Sequence, residues 1–202
     1  MTPMKLEVFT DLVCPWCYLS TPRVDRLERH FEIDVEWVFF PLHPETPPEG
    51  LALKDLFAGR TVDLEAAHAR LKAMMESEGL QFNERRYTYN SRLAQELAKA
   101  FPQLRGRLYR AYFEEAKNIA NPDILVAIAE SEGVSAEAAR RVLTERLSRE
   151  AVDDDWRRAR RYGVTGVPSF VAGGQMLVGA HPYETLERFV RAAGARSRST
   201  LS

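Results

Sequence analysis

Lys5-Leu6-Glu7-Val8-Phe9-Thr10-Asp11-Leu12-Val13-Cys14-Pro15-Trp16-Cys17 is the stretch whose reading decides the fold. Residues 5–10 read as a short buried strand, Asp11-Leu12-Val13 as a turn, and Tyr18 to His30 as a helix. Cys14 and Cys17 are the only two cysteines among the 202 residues. A strand that feeds a C-x-x-C pair at the start of a helix places the first sulfur at the helix N-terminus. Free N–H groups and the helix dipole stabilise a thiolate there. The thiolate is the nucleophile of disulfide exchange, so whatever lowers its pKa sets both its reactivity and its leaving ability.

Three other readings of the pair compete. A structural disulfide between positions i and i+3 closes a very short loop and removes little entropy from the unfolded chain. A structural zinc site takes about four ligands. Only His30, His43, His68 and His181 are available to supplement the cysteines, without an H-x₃₋₅-H spacing, so no metal is expected. Two inert thiols meeting by chance would not explain the position at a helix start. Redox chemistry is the reading that uses all of these features.

Working outward, Val24, Leu27 and Phe31 share one face of the first helix, and residues 32–40 alternate polar and apolar as a second strand. A strand–helix–strand unit with short links is right-handed, so the two strands should run parallel with their C-terminal ends on one edge. Cys14 and the segment Pro41-Leu42-His43-Pro44-Glu45 would then be neighbours on the edge where α/β sheets bind ligands. That makes His43 a candidate site-lining residue, against the competing reading of a solvent-facing loop histidine.

Pro41, Pro44, Pro47, Pro48 and Gly50 end the sheet, and nearly everything from about Leu51 to Tyr162 reads helical. Asn121-Pro122 and Ser135 mark helix starts, Gly79 a helix end, and Asp153-Asp154-Asp155 the opening of a last helix. Met74 and Met75 read as core filler. Arg157, Arg158, Arg160 and Arg161 read as a solvated helix face whose cations complement the dipole. The sheet resumes after Gly163-Val164-Thr165-Gly166-Val167-Pro168. Residues 169–172 and 175–179 form a hairpin across Gly173-Gly174, and a final helix ends at Gly194. The expected organisation is residues 1–50 with 163–194 as a discontinuous α/β domain, 51–162 as a helical insertion, and 195–202 as a flexible tail. Because the insertion leaves and rejoins the sheet beside its active edge, it is expected to cap the site.

Composition narrows the partners. With 45% hydrophobic residues the chain can build a core, and a net charge of −1 gives no general drive toward nucleic acid or an anionic membrane. No run of about 18 apolar residues is present, so no membrane association is expected. The N-terminus enters the first strand without a signal peptide's apolar core, and a cytoplasmic location is the expectation. A lone cysteine pair in a reducing compartment is more often catalytic or sensing than structural.

The C-P-W-C of residues 14–17, together with Thr165-Gly166-Val167-Pro168-Ser169-Phe170 far downstream, resembles the DsbA superfamily of thioredoxin-like oxidoreductases. Within it the chain is similar to the FrnE-like dithiol–disulfide isomerases. That likeness also rests on Asp11, Tyr18, Phe40 to Gly50, Asn90 with Ala94, Ala111-Tyr112-Phe113, and Asn118-Ile119. The resemblance extends to about Gly194. It implies an α/β thioredoxin-like fold interrupted by a large all-helical insertion. It implies Cys14 and Cys17 as the catalytic pair, supported by Asp11, Pro15, Trp16, Val167 and a cis Pro168, with Tyr18, His43 and Thr165 lining the substrate site. A trans proline introducing an edge strand is the competing reading of Pro168.

In relatives a buried acid underlies the cysteines, and six residues before Cys14 this chain carries Val8 instead. Asp11 is the alternative acid, against its reading as a turn or cap residue. No tightly bound cofactor is implied, and glutathione is a candidate redox partner beside protein or peptide thiols and disulfides. The chain is expected to act as a monomer or a homodimer. Two rival readings remain. One is a glutathione-dependent transferase or isomerase of the kappa-class or 2-hydroxychromene-2-carboxylate isomerase type, in which a serine replaces Cys14. The other is a chaperone-like binding module with incidental redox activity.

Overall fold

The computed structural model of this protein describes residues 3–59, 61 and 63–198. In chain order these form β1 (Met4–Thr10), α1 (Pro15–His30), β2 (Ile33–Phe39), β3 (Leu51–Ala52), α2 (Leu53–Leu56) and α3 (Leu64–Ser77). Next come β4 (Tyr87–Thr88), α4 (Arg92–Ala100), α5 (Leu104–Phe113), α6 (Pro122–Ser131) and α7 (Ala136–Thr144). The chain closes with α8 (Arg149–Arg161), β5 (Ser169–Ala172), β6 (Gln175–Val178) and α9 (Tyr183–Ala192). They gather into two compact units, one made of the chain up to Phe40 and from Asp155 onward, the other of Pro41–Asp154.

In the first unit four strands lie in the order β2-β1-β5-β6. β1 runs parallel to β2 with Met4 beside Ile33 and Thr10 beside Phe39, and antiparallel to β5 with Val8 beside Phe170. Being interior, β1 is buried from Leu6 to Thr10. Its side chains alternate between faces. Leu6 and Val8 join Val24, Leu27, Phe31, Phe170, Leu186 and Val190 in one core, whereas Phe9 packs with Val38, Ala159, Val164 and Val171 in another. Both faces of the sheet are therefore covered, by α1 and α9 on one side and by the end of α8 on the other. The β5–β6 hairpin turns through Gly173 and Gly174, at φ of 55° and 74°. Two consecutive left-handed residues give the turn twist that antiparallel strands need, and glycine adopts it without a Cβ penalty.

Pro22 lies inside α1, where it cannot donate to the carbonyl of Tyr18 four residues earlier. The Thr21 hydroxyl donates to that carbonyl instead, at 2.8 Å. Buried Arg23 reaches from the same helix to the His181 carbonyl at 2.8 Å, fastening α1 to the start of α9. The tail expected to be flexible from Ala195 is hydrogen-bonded as far as Arg198. Glu32 donates its N–H to the Arg196 carbonyl at 2.8 Å, and the Arg198 guanidinium caps the carbonyls of Glu28 and Phe31 at 2.9 Å each. A cation over the last carbonyls of a helix satisfies acceptors that have no intrahelical donor. Residues 199–202 of that tail lie outside the described residues.

The second unit is helical apart from β3 and β4, a two-residue antiparallel ladder pairing Leu51 with Thr88. Asn121 and Ser135 cap α6 and α7 as the sequence implies, accepting N–H groups of the first turn. At its centre Glu96 is fully buried, and Arg92 and Arg146 both hydrogen-bond it. Burial alone would raise the Glu96 pKa; the two guanidinium groups outweigh it and hold the carboxyl below its usual range.

The units change over at Phe40 and Asp155, where the sequence reading places the boundaries at Gly50 and Tyr162. The proline-rich segment belongs with the helices because Asn90 donates to the carbonyls of Pro44 and Thr46, and Asn118 to that of Pro48. α8 starts at Arg149, not at the aspartates, and its C-terminal half belongs with the sheet. Asp155 accepts the Phe39 N–H at 3.0 Å, and Ala159 enters the Phe9 core. Arg158, read from sequence as part of a solvated face, is paired with Glu7 of β1 and with Glu36 of β2. The Tyr162 hydroxyl donates to the same Glu7 carboxylate at 2.9 Å. Hydrogen bonds from Arg158, then that of Lys5, outweigh desolvation and lower the Glu36 pKa to about 2. Among the described residues no helix is long and apolar enough to cross a membrane.

Removing Arg158 would leave the buried Glu7 carboxylate without its charge partner, a loss of about 3 kcal/mol by the scale of broken buried pairs. Arg158→Met should show a drop of that order in urea denaturation at pH 7. The difference from wild type should shrink as pH falls from 4.5 toward 2, because Glu36 has its folded pKa depressed from 4.5 to about 2. Equal stability of the two proteins at neutral pH would refute this account of the pair.

Candidate active site

The end of β1 and the start of α1 build the site within the first unit. After Thr10 the chain turns through Asp11, whose Oδ1 accepts the Val13 N–H at 3.1 Å and whose carbonyl accepts the Cys14 N–H at 3.1 Å. This is the turn geometry that aspartate favours. It delivers Cys14 as the N-cap of α1, with Pro15 at the first helical position. The Cys14 carbonyl accepts the N–H groups of Cys17 and Tyr18, both at 3.2 Å, so Cys17 stands one turn into the helix. Both cysteines are free thiols.

The segment before β5 completes the site. The Cys14 Sγ donates to the Val167 carbonyl at 3.4 Å, joining residues 153 apart in sequence. Val167–Pro168 is a cis peptide bond. The Ser169 hydroxyl donates to the Gly166 carbonyl at 2.7 Å, and the Pro168 carbonyl accepts the Gly179 N–H at 2.8 Å, which pins this turn to the hairpin. Around the two sulfurs the surface is uneven. Cys14 and Cys17 are buried, Pro15 and Val167 are half-buried, and Trp16 and Thr165 are exposed. The Trp16 ring and Thr165 therefore stand at the surface beside the buried thiols.

Tyr18, next to Cys17 on α1, is buried at 3% exposure. His43 belongs to the Pro41–Asp154 unit, where its Nδ1 lies 3.9 Å from the Glu45 carboxylate. Val8 points into the core shared with α1 and α9. One residue escaped the sequence reading altogether. Thr10, fully buried at the end of β1, hydrogen-bonds Cys17 with its hydroxyl. Its only sequence signal is its place as the last strand residue before the Cys14 turn.

Burial pushes the Cys17 thiol well above its usual pKa, and a hydrogen bond and charge from Cys14 add to the rise. The Thr10 hydroxyl and a hydrogen bond from the Asp11 backbone pull the other way.

A family model described as DSBA-like thioredoxin domain matches residues 5–191. Among solved structures, the probable DsbA oxidoreductase of Streptomyces coelicolor is 28% identical, with 98% of this chain and 94% of that chain covered at a TM-score of 0.86. A 2-hydroxychromene-2-carboxylate isomerase is 20% identical, with 95% of each chain covered and a TM-score of 0.73. The cytosolic disulfide reductase DsbM of Pseudomonas aeruginosa, solved with GSH, is 20% identical over 93% of this chain and 100% of that chain, at a TM-score of 0.63. The thioredoxin-like α/β fold with a helical insertion, expected from the sequence, is the fold these structures share.

Replacing Cys14 by serine removes the neighbour that helps to raise the Cys17 pKa but leaves the burial in place. In Cys14→Ser, thiolate absorbance should report a Cys17 pKa lower than in the wild-type dithiol yet still above that of a free thiol. A value at or below the free-thiol range would contradict the dominance of burial.

Proposed function

Because this chain belongs to the DSBA-like thioredoxin domain family, whose members are disulfide oxidoreductases and isomerases, we propose that it exchanges disulfides with protein or small-thiol clients through Cys14 and Cys17. One observation carries the reading. A thiol at a helix N-terminus lies 3.4 Å from a backbone carbonyl on an exposed turn, with a second thiol one helical turn behind it. Nothing in that arrangement serves a structural bridge, and all of it serves a thiolate that must be reached from outside and then released from inside.

In the reducing direction the Cys14 thiolate attacks one sulfur of a client disulfide. The client S–S bond breaks, one half leaves as a thiolate, and the other is joined to Cys14 as a mixed disulfide. The Cys17 thiolate then attacks the Cys14 sulfur and releases the second half. The protein has lost two electrons and the client has gained them. The oxidising direction is the reverse. Pro15 withholds an N–H from the first turn beside the sulfur. Trp16 and the Thr165–Val167 backbone form the surface against which an extended client segment lies, in the manner of strand addition. Asp11 holds the turn that aims Cys14.

Glutathione is the candidate small thiol, a reading supported by the GSH-bound reductase of the same fold. That protein's cytosolic setting also supports a cytoplasmic role, where a two-cysteine chain serves turnover rather than a permanent bridge. Dithiol chemistry is favoured over isomerisation of the kind named for another protein of this fold, because a second thiol stands ready to displace any adduct on Cys14.

Cys14→Ser should lower disulfide-exchange turnover to background. Cys17→Ser should accumulate a stable mixed disulfide on Cys14 when treated with oxidised glutathione, seen as the added glutathione mass. Full turnover in Cys14→Ser would sink the assignment. Stable glutathionylation of the wild-type protein, without the intramolecular disulfide, would favour the glutathione-dependent reading instead.

A further inference from the structure

The helical unit holds a cavity of about 280 Å³ walled by Glu84, Arg85, Arg86, Tyr87 and Tyr89. Its size lies just under the roughly 300–1,000 Å³ of small-molecule pockets, which suits a single-ring guest. The wall is fastened in place before any guest arrives. Asn83 donates its N–H to the Phe113 carbonyl at 2.9 Å and its side-chain amide to the Glu114 carbonyl at 2.6 Å. The Arg86 carbonyl accepts the Leu53 N–H at 2.9 Å, and the Tyr87 carbonyl accepts the Tyr112 hydroxyl at 3.1 Å. Tyr87 and Tyr89 lie two residues apart across β4 and so share one face of the chain, their rings stacked at 24° with centroids 6.4 Å apart.

Arg85 gives the cavity its charge. Its guanidinium carbon stands 4.8 Å from the Phe113 ring centroid, 5.1 Å from that of Tyr112 and 5.3 Å from that of Phe82. Its Nε is buried without a hydrogen-bond acceptor. Elsewhere in this unit Arg92 and Arg146 are neutralised by Glu96, whereas among the described residues no carboxylate forms an ion pair with Arg85 or Arg86. A guanidinium moved partly out of water onto aromatic rings keeps a cation–π attraction but has no counter-charge to replace its lost hydration. The two arginines and Glu84 leave the wall with one net positive charge, which a single carboxylate balances and a phosphate dianion would overshoot. A guanidinium also matches the planar geometry of a carboxylate.

We propose that this cavity binds a small aromatic monocarboxylate, its carboxylate held by the Arg85 guanidinium and its ring laid against Tyr87 and Tyr89. The Tyr89 hydroxyl stays protonated, because burial and then the neighbouring phenols of Tyr112 and Tyr87 raise its pKa, so it can donate to the guest. The aromatic walls favour a ring in offset or edge contact over an aliphatic chain. The site belongs to the Pro41–Asp154 unit, and the proposal does not depend on the thiol chemistry of the other.

The test is calorimetric titration of the full chain with benzoate, beside acetate, which lacks the ring, and benzyl alcohol, which lacks the charge. Benzoate should bind at one site with a Kd below about 1 mM. Acetate and benzyl alcohol should bind about tenfold more weakly. Arg85→Met should weaken benzoate binding about tenfold, and Tyr87→Ala about fivefold. Glu84→Gln should tighten it about twofold by removing the opposing charge. Thermal melting reports whether each variant is folded; if Arg85→Met is not, Tyr87→Ala and Glu84→Gln, both at exposed positions, decide the matter. Absence of saturable benzoate binding overturns the proposal, as does benzyl alcohol binding as tightly as benzoate. Benzoate affinity unchanged in a folded Arg85→Met or in Tyr87→Ala, or weakened in Glu84→Gln, overturns it as well.

Discussion

The contact between the Cys14 thiol and the Val167 carbonyl joins the two ends of the chain, and the first unit depends on the constraint it represents. For a sulfur carried by the first helix to meet a carbonyl in front of the fifth strand, β1 and β5 must lie side by side. That requires the segment between Phe40 and Asp155 to leave the sheet and return to it, which places β1 in the sheet interior. An interior strand covered on both faces has to be buried throughout, and from Leu6 onward it is. The position of the reactive thiol and the apolar character of the strand that carries it follow from one topological arrangement.

Burying that strand creates an electrostatic problem, because Glu7 lies in it. A carboxylate taken out of water needs both an opposite charge and hydrogen bonds. Arg158 and Tyr162 supply them from the end of α8. The same guanidinium also holds Glu36 on the neighbouring strand, so one side chain clamps two parallel strands beneath the sheet. Apolar contacts of Ala159 and Val164 with Phe9 and Val38 flank the clamp. The reactive edge sits on a strand whose alternate side chains are committed to two different cores, leaving Thr10 and the Asp11 turn as its polar terminus.

Local rules made much of this legible. The short buried strand of residues 5–10, the C-x-x-C at a helix start, the alternation of residues 32–40 and the Gly173-Gly174 hairpin all depend on residues within a few positions of one another. The boundaries did not follow from composition. Pro44, Thr46 and Pro48 look like a linker, yet their carbonyls are held by Asn90 and Asn118. Arg158 looks like one of several surface cations in a row, yet it is paired with both Glu7 and Glu36. Tyr18 looks like part of a reactive motif, yet the rotation of α1 turns it inward.

The sequence by itself determined that a thiol pair stands at a strand–helix junction, because helix capping, strand alternation and turn chemistry act over three or four residues. It also determined the thioredoxin-like class, through the pairing of Cys14-Pro15-Trp16-Cys17 with Thr165-Gly166-Val167-Pro168. Only the tertiary structure decided which groups touch the sulfurs. Whether Cys14 meets Val167 and whether Arg158 is solvated or paired depend on sheet order and helix rotation. Those are set by the burial of side chains far apart in the chain, which no local pattern records.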